Sequence, residues 1–399
     1  MHLADVHIGM ENYGRLDPET GSSTTLRAFL STLDEAVDRA IAEPVDLVVI
    51  AGDIYKSRDP SPTHQREFAR RVLRLARAGV QVLIVAGNHD IPMATGRATS
   101  IDIFRVLELP GVTVTRNIEM KRIETRSGPV QVLTLPWLVK HALISQDEHK
   151  NKSLEEVLTF IVERAESLLE AEAGELDPAI PALLVGHAHV FGARVGAERL
   201  LTLGTDPMFN ISVLDLPNLD YIALGHIHKH QTVSTGRTPT VYAGSINRVD
   251  FGEEAEDKGF ILAEVQRGKT EWEFVPVKAR PFLTIRSEPI TEDPTDEVVK
   301  SILRAGPRVR GAVVRLQLVG TRARLQQIDE REVRLQLREA EYLAPIQREI
   351  TDQVRVRLAG QDIAGRTPLD LLDLYFQQKQ VADARRDELL AVARGLLAE

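Results

Sequence analysis

The sequence of 399 residues contains no cysteine. Disulfide bonds and thiolate metal sites are therefore excluded, and this usage is typical of a reducing compartment, so we expect a cytoplasmic protein. The sequence also lacks an N-terminal apolar run and any uninterrupted apolar stretch of transmembrane length. Neither export nor a membrane span is predicted.

Basic residues are outnumbered by acidic ones, and the formal net charge is −9. By itself this balance argues against a nucleic-acid partner. Bound cations can neutralise carboxylates, however, and a basic patch can be present in a chain of acidic total charge. Hydrophobic residues make up 43% and charged residues 27%, as in soluble globular proteins, and the length predicts two or three domains.

Strand and helix patterns alternate through the first two thirds of the chain, which predicts an α/β domain over residues 1–276. A change of composition near the end of that region opens a smaller pattern, predicted as an α+β domain over residues 277–358. Residues 359–399 are predicted to be a C-terminal helical segment. Only four residues precede Asp5, so the first strand is expected to be short and frayed.

Side chains able to bind metal follow five predicted strands of the first domain. Residues 80–86 are typical of a buried parallel strand, and Gly-Asn-His-Asp follows at 87–90. The other four blocks are Asp5-Val6-His7, Gly52-Asp53, Gly186-His187 and Gly225-His226-Ile227-His228. In open α/β sheets the ligand site lies beyond the carboxyl ends of the strands, so we expect the blocks to converge on one metal site.

The donors are imidazole nitrogens with carboxylate and amide oxygens, a set that suits Mn²⁺, Fe²⁺, Zn²⁺ or Co²⁺. Seven such groups exceed the needs of one ion and are about right for two ions that share a carboxylate. Two ions ~3.5–4 Å apart form the clamp used to hydrolyse phosphate esters. Each block alone is also typical of an ordinary turn or a core histidine, so the prediction depends on all five together.

These five blocks resemble, one by one, those of the calcineurin-like metallophosphoesterases. Two further blocks, Tyr242-Ala243-Gly244-Ser245-Ile246 and Asp250-Phe251-Gly252-Glu253, together with the extra domain and the tail, resemble the SbcD branch of DNA repair nucleases. The resemblance implies an α/β fold of four layers, two mixed sheets flanked by helices. A small α+β cap domain and C-terminal helices would follow.

The resemblance also implies roles for single residues. One ion would be held by Asp5, His7, Asp53 and His228. The other would be held by Asp53, Asn88, His187 and His226, with Asp53 as the bridge. His89 would be the catalytic residue that stabilises or protonates the departing sugar oxygen, and both ions would be manganese. Relatives often carry a histidine where this chain has Lys56, a residue that can contact phosphate as a point charge.

The implied function is an Mn-dependent exonuclease and endonuclease that hydrolyses DNA phosphodiester bonds in double-strand-break repair, with an SbcC-type ATPase as partner. A phosphoprotein phosphatase or a nucleotide phosphodiesterase of the same superfamily is one alternative. Phosphatases, however, carry Gly-Asn-His-Glu where residues 87–90 end in Asp. A non-catalytic scaffold on the same fold is another alternative, but such scaffolds usually lose ligands that this chain keeps.

Arginines are frequent around the middle strand of the small predicted domain. They are Arg308, Arg310, Arg315, Arg322 and Arg324. A solvated face is the ordinary explanation, and beside a nuclease site a phosphate-contacting surface is at least as good. We predict that Lys56, Arg308, Arg310 and Arg315 contact DNA.

The resemblance implies a homodimer of the nuclease domain, formed by helices predicted at 61–77 and 99–108. The shared core would contain Phe68, Val72, Leu75, Ile103 and Phe104. Packing of these faces on their own sheet alone explains the pattern nearly as well.

The tail begins with Thr367-Pro368-Leu369-Asp370, which predicts a capped helix start. Two apolar stripes follow, one of Leu369, Leu372, Tyr375 and Phe376 and one of Leu389, Leu390, Ala393, Leu396 and Leu397. Short isolated helices are marginal in water, so a packing partner is expected. We predict the coiled coil of an SbcC-type ATPase, with folding back onto the small domain as the alternative.

Overall fold

The computed structural model describes residues 1–19, 21–92, 97–139, 153–196, 206–234, 237–351, 367–379 and 381–396. The strands described within residues 1–276 are β1 (His2–Leu3), β2 (Leu47–Ala51), β3 (Gln81–Val85), β4 (Val112–Thr115), β5 (Glu119–Thr125), β6 (Gly128–Leu135), β7 (Ala182–His187), β8 (His189–Val190), β9 (Met208–Phe209), β10 (Tyr221–Gly225), β11 (Gln231–Ser234), β12 (Thr240–Tyr242), β13 (Gly259–Gln266) and β14 (Lys269–Pro276). The helices described there are α1 (Thr24–Ala42), α2 (Pro62–Arg77), α3 (Asp102–Val106), α4 (Leu154–Gly174) and α5 (Ile211–Leu214).

Two mixed sheets of six strands each are formed from these elements. The first has the order β14-β13-β1-β2-β3-β4, in which β1 to β4 are parallel and β13 is antiparallel to β1. The second has the order β11-β12-β10-β7-β6-β5, in which the edge strands β5 and β11 are antiparallel to their neighbours and the inner strands are parallel. The carboxyl ends of the parallel strands therefore lie along one edge of each sheet.

The sheets pack face to face, with helices on their outer faces. Val48 and Ile50 of β2 belong to the apolar cluster that includes α1 and α2, whereas Leu47 and Val49 of the same strand belong to the cluster between the sheets. Ile161 of α4 packs in the cluster on the far side of the second sheet. Strands buried on both faces are continuous apolar runs in sequence. The predicted order of helix, sheet, sheet and helix is confirmed.

Local capping explains where two helices of this domain begin. The Ser61 side chain accepts a hydrogen bond from the His64 backbone N–H, and Pro62 occupies the first turn of α2. Ser153 and Glu156 form a capping box at the start of α4. Such side chains satisfy backbone donors that a helix leaves unpaired at its N-terminus. The helix predicted at 61–77 is confirmed as α2, whereas the one predicted at 99–108 is shorter, Asp102–Val106.

β1 is short, as expected, but it is not frayed. His2 and Leu3 pair in parallel with Val49 and Ile50 of β2, and His2 also pairs with Ile261 of β13. Both residues of β1 are buried. The expectation of fraying is wrong because a neighbouring strand on each side fixes this segment in the middle of the sheet.

The apolar face of α2 packs on its own sheet. Phe68, Val72, Leu75 and Phe104 are each at most 2% exposed and belong to the cluster beneath α1 and α2. The prediction that these four side chains form a core shared by two copies is therefore wrong. Of the five residues proposed, only Ile103 is exposed, by 47%.

Residues 282–350 form a separate small sheet with its own core. Its elements are β15 (Phe282–Ser287), α6 (Pro294–Ala305), β16 (Val313–Gly320), α7 (Arg322–Leu325), α8 (Glu330–Gln336), β17 (Tyr342–Leu343) and β18 (Gln347–Ile350). The strands beside β16 are all parallel to it. Apolar side chains of α6, α8 and β16 share one cluster. Residues 352–366, which include the predicted boundary between the cap domain and the tail, lie outside the described residues.

The tail contains two helices that contact each other, α9 (Pro368–Gln378) and α10 (Asp383–Leu396). Thr367 and Asp370 form a capping box, which confirms the predicted helix start. The apolar stripe of α9 is half-exposed and Tyr375 is exposed. Leu397, predicted for the second stripe, lies outside the described residues. Within the described parts of the chain, every helix is too short or too polar to cross a bilayer.

Candidate metal centre

The five strand ends converge where the two sheets face each other. Ligand atoms of Asp5, His7 and His228 lie within 4.8 Å of one another, and so do those of Asp5, Asp53 and His187. These residues follow or end β1, β2, β7 and β10, which come from both sheets. Neighbouring parallel strands bring their carboxyl ends together, as expected for an α/β ligand site. Asp5 was predicted for one ion only, yet it is within reach of ligands from both predicted sets.

His7 and His228 face each other through their Nε2 atoms, which are 2.9 Å apart. The Nδ1 of His228 is 2.7 Å from Glu253 Oε1, so its proton is donated there and the Nε2 lone pair points into the site. The Nδ1 of His7 is buried without a hydrogen-bond partner. Two buried imidazole nitrogens at this separation suit a cation that both can bind.

Asp53 lies between the two sets of histidines. Its Oδ1 is 3.5 Å from His187 Nε2, whereas its Oδ2 is 3.8 Å from His7 Nε2. The backbone N–H of His89 donates to Oδ1 at 2.8 Å. The two oxygens of one carboxylate thus face donors from different sheets, which is the arrangement that a bridging ligand requires.

Asn88 brings the remaining two histidines together. Its Oδ1 is 2.9 Å from His187 Nε2 and 3.3 Å from His226 Nδ1. The Nδ1–H of His187 donates to the carbonyl of Ala51 at 2.8 Å, which leaves Nε2 as the nitrogen that faces the site. Backbone carbonyls often orient metal-binding histidines in this way.

His89 lies at the open side of the cluster. Its Nδ1–H donates to the Lys56 carbonyl at 2.8 Å, and its Nε2 is 3.9 Å from Asp53 Oδ2. The side chain is partly exposed. Its Nε2 is therefore a ring nitrogen that a substrate oxygen could reach.

Burial favours the neutral form of two histidines of the cluster, His7 and His187. Desolvation lowers the pKa of His7 well below its usual value, and the nearby side chains of His228, His89 and Lys56 lower it further. Desolvation also lowers the pKa of His187 to about 4, against the attraction of Asp53. Neutral imidazole is the form that binds a metal ion, so no proton has to be removed from these rings near neutral pH.

Backbone strain is concentrated at the same strand ends. Four candidate ligands have positive φ angles: Asp5 (49°), His7 (48°), Asp53 (54°) and His226 (97°). They are four of the seven non-glycine residues with such angles in the described chain. Each such residue costs on the order of 1–3 kcal/mol and persists only where its surroundings enforce it. The folded chain is therefore less stable than it could be, in exchange for fixed donor positions.

Two glycines allow the strand ends to come so close. A Cβ at Gly87 would lie 2.2 Å from Asp53 Oδ1, and one at Gly52 would lie 2.2 Å from His187 Nδ1. Real side chains never approach so closely, so any larger residue would displace the donors. Glycine in these two motifs is required by space at the site.

Asp90 completes the turn after β3. Its carboxylate accepts hydrogen bonds from the backbone N–H groups of Gly87 and Ile54, and burial together with the nearby charge of Asp53 raises its pKa to about 8. Through these contacts Asp90 stabilises the turn. The carboxylate joins the loops after β2 and β3.

Sequence reasoning missed the groups that surround the ligands. The Trp137 ring packs 4.9 Å from the ring of His226, and Asp206 Oδ2 is 3.6 Å from His226 Nε2. Glu253 was noticed only as part of a motif, and Lys258, which lies 2.9 Å from it, was not noticed at all. Trp137, Asp206 and Glu253 each contact a histidine that is distant in sequence, so no local pattern could have found them.

The residues predicted to contact DNA have different environments. Lys56 is half-buried and its charge acts on His7 and His89. Arg308 and Arg310 are exposed, the latter beside Glu339. The guanidinium of Arg315 donates to Thr284 Oγ1 and lies 4.4 Å from the Phe251 ring centroid.

The five arginines do not form one cluster. Arg308 and Arg310 precede β16, whereas Arg322 and Arg324 follow it. A strand of this length spans roughly 25 Å, which separates the two pairs. The predicted arginine surface is therefore divided between the two ends of the strand.

Comparison with known proteins agrees with this site. A family model described as calcineurin-like phosphoesterase matches residues 1–230. The SbcD subunit of the SbcCD nuclease from Rhodobacter capsulatus is 26% identical over 334 residues, which cover 80% of this chain and 79% of that protein. A DNA double-strand break repair protein Mre11 from Archaeoglobus fulgidus is 25% identical over 308 residues, 72% of this chain and 61% of that protein. The SbcD subunit of the SbcCD nuclease from Escherichia coli K12 is 28% identical over 278 residues, 68% of this chain and 66% of that protein.

The region matched by the family model covers more than half of the chain. It contains every predicted metal ligand and His89. The two-sheet fold and the convergence of donors at the strand ends are what this match leads one to expect. The chain belongs to the calcineurin-like phosphoesterase family.

Proposed function

We propose that this chain is the nuclease subunit of an SbcD-type complex, a Mn²⁺-dependent enzyme that hydrolyses DNA phosphodiester bonds during double-strand-break repair in the cytoplasm. The observation that carries the proposal is the convergence of buried histidines and carboxylates from both sheets on one site. The substrate is taken from the relatives, which are named as nucleases or as a DNA break repair protein.

The donors divide between two ions in this proposal. Asp5, His7, Asp53 and His228 hold one ion, and Asp53, Asn88, His187 and His226 hold the other. The opposite orientation of the two Asp53 oxygens supports its role as the bridge. When bound, such ions supply Lewis-acid activation of water and stabilise negative charge on the phosphate.

His89 is the residue that stabilises or protonates the departing sugar oxygen. Its Nδ1–H is occupied by the Lys56 carbonyl, so the protonated ring donates from Nε2. Lys56 is close enough to act on the charge of the neighbouring histidines, which supports a contact between its ammonium group and a substrate phosphate.

DNA beyond the reacting phosphate is assigned to the small domain, where Arg308 and Arg310 offer exposed guanidinium groups. Arg315 can contribute only by leaving Thr284. Phosphate contacts of this kind strengthen binding to all sequences and weaken as salt is added.

The test is a cleavage assay on hairpin and blunt duplex DNA with Mn²⁺, with Mg²⁺ and with a chelator. Each condition is run with and without an SbcC-type ATPase and ATP. We expect Mn²⁺-dependent cutting that the ATPase and ATP increase. Hydrolysis of a phosphopeptide or a nucleotide without DNA cleavage would contradict the proposal, and DNA binding without any hydrolysis would favour the scaffold.

A homodimer remains part of the proposal, but on a different surface from the one predicted. Ile103, Val106 and Leu107 are 47%, 75% and 59% exposed and lie together on α3 and its C-terminal end. We expect Ile103→Glu to convert a dimer into a folded monomer in sedimentation velocity, because a carboxylate would be buried in an apolar contact.

The matched control is Ile290→Glu, a substitution at another exposed isoleucine, in the small-domain region. It should leave the sedimentation coefficient unchanged. A dimer that persists in Ile103→Glu at micromolar concentration would exclude this surface.

The tail is proposed to bind the coiled coil of the SbcC-type partner. The apolar stripe of α9 is half-exposed. A short helix pair is marginally stable alone, and a partner that packs on this stripe would bury it. Deleting residues 367–399 should leave Mn²⁺ binding and intrinsic cutting unchanged and abolish ATP-dependent stimulation, as measured by cleavage rate and by co-purification with the ATPase.

A point variant refines the tail experiment. Tyr375→Glu places a charge on the apolar stripe and should weaken co-purification, whereas Gln377→Glu, on an exposed polar position of the same helix, should not. Full co-purification after the deletion would show that the partner binds elsewhere.

A further inference from the structure

His228 is held by a carboxylate that the predicted metal set does not include. Its Nδ1 is 2.7 Å from Glu253 Oε1. The other oxygen of Glu253 accepts from the Val249 backbone N–H at 3.0 Å and lies 2.9 Å from Lys258 Nζ. Glu253 has no exposed surface, so this carboxylate is a buried and fully engaged group.

Lys258 has a matching set of acceptors. Its ammonium donates to the His228 carbonyl at 3.0 Å and lies 2.9 Å from both Glu253 Oε2 and Glu256 Oε2. An ammonium group has three protons to donate, and three acceptors are present. Since its residue is only 2% exposed, the charge depends on these contacts.

The Glu253 carboxylate lies between the His228 ring and the Lys258 ammonium, and these two contacts compensate for its burial. A carboxylate beside a ring N–H fixes the position of that proton and makes the opposite nitrogen a better metal ligand.

The other histidine of the same motif is oriented the opposite way. His226 turns Nδ1 toward Asn88 Oδ1. Its Nε2 is buried, has no hydrogen-bond partner among the described residues and lies 3.6 Å from Asp206 Oδ2. Two histidines separated by one residue therefore offer different nitrogens to the site.

We propose that Glu253, held by Lys258, is a positioning residue that keeps His228 in the Nδ1–H form and directs its Nε2 at one of the two ions. The inference rests on the metal site of the proposed function. It adds a residue that acts through a ligand and touches neither metal nor substrate.

The first test is calorimetric titration of the chelator-stripped full chain with Mn²⁺ alone. Glu253→Gln should weaken the binding of one ion by about 10–100-fold and leave the other unchanged. Glu256→Gln is the matched control, because it also removes a carboxylate from Lys258 but does not touch His228. It should leave both affinities unchanged. Equal weakening by both variants, or no change in Glu253→Gln, would overturn the proposal.

The second test is read on the wild-type chain, and a variant serves only to assign the signal. Nitrogen-15 NMR of the metal-free chain distinguishes the two neutral tautomers of each histidine, and loss of a signal in His228→Gln assigns it. We expect His228 as the Nδ1–H form, because its Nδ1 lies 2.7 Å from the Glu253 carboxylate. The Nε2–H form at His228 would overturn the role of Glu253. If the wild-type chain takes up no Mn²⁺, the proposed function fails, while the tautomer still decides this inference.

Discussion

Asp53→Asn is expected to remove at least one of two metal ions and to lower DNA cleavage by about 10³-fold or more. The two oxygens of this carboxylate face both histidine sets, His7 on one side and His187 on the other. An amide offers one oxygen and no charge, so it cannot replace the bridge. Metal content by mass spectrometry and the cleavage rate with Mn²⁺ are the measurements.

Asparagine is the suitable replacement at this position. Asp53 has a φ of 54°, and asparagine tolerates this left-handed conformation better than alanine does. Asp59→Asn, at an exposed aspartate of the same loop, is the control and should keep both ions and full activity. Unchanged metal content in Asp53→Asn would rule out a bridging role.

His89→Ala is expected to keep both metal ions and to lose about 10²–10⁴-fold in turnover, the range typical of a general acid or base. The ring is partly exposed, and its free Nε2 faces the open side of the site. Because Asp53 receives a hydrogen bond from the His89 backbone and not from its ring, removal of the ring should leave the carboxylate in place. Turnover is measured at saturating Mn²⁺, with metal content determined on the same sample.

The control for this experiment is another histidine close to a ligand in sequence. His230 stacks on Phe274 with ring centroids 4.3 Å apart, and its Nδ1 bonds the Tyr242 carbonyl. His230→Phe retains the stacking and should retain turnover. An equal loss in both variants, or loss of metal in His89→Ala, would contradict the assignment of His89.

The convergence of the candidate metal donors could be predicted from the sequence because two independent signals agreed. Apolar runs marked the strands, and the donors followed their carboxyl ends, where α/β sheets bind ligands. The motif at 225–228 and the one at 87–90 then pointed to a specific family. This agreement placed His7 and His228 in one site even though they come from different sheets.

The helical spacing of apolar residues did not predict what the apolar face of a helix packs against. Phe68 and Val72 have the spacing of a helix that buries one face, and this spacing is the same whether the face meets its own sheet or a second copy. In the structure both side chains pack on the sheet of their own domain. Val106 and Leu107, which the helix pattern did not identify, are exposed and are left as the apolar surface that a second copy could contact.

Contacts between distant positions were also beyond the sequence. Glu253 is 25 residues from His228, and nothing in the spacing of Lys258 from either suggests an ion pair. Arg308 and Arg322 seemed to be neighbours because they flank one strand, yet an extended strand separates its ends more than any other element of equal length. Glu253 and His228 are distant in sequence but in contact, whereas Arg308 and Arg322 are closer in sequence but separated in space.

His7 and His228 are 221 positions apart in the chain, and this separation has a consequence for how the protein acquires its metal during synthesis. Contacts that close so long a loop form slowly, because chain entropy is lost before the contact can compensate for it. On the ribosome, the donors near the N-terminus emerge long before their partners from β10. Until those partners arrive, the early donors form at most a partial site, and the two sheets must pack before it is complete. Metal uptake by the complete site therefore follows the packing of the two sheets and is a late event in the maturation of this chain.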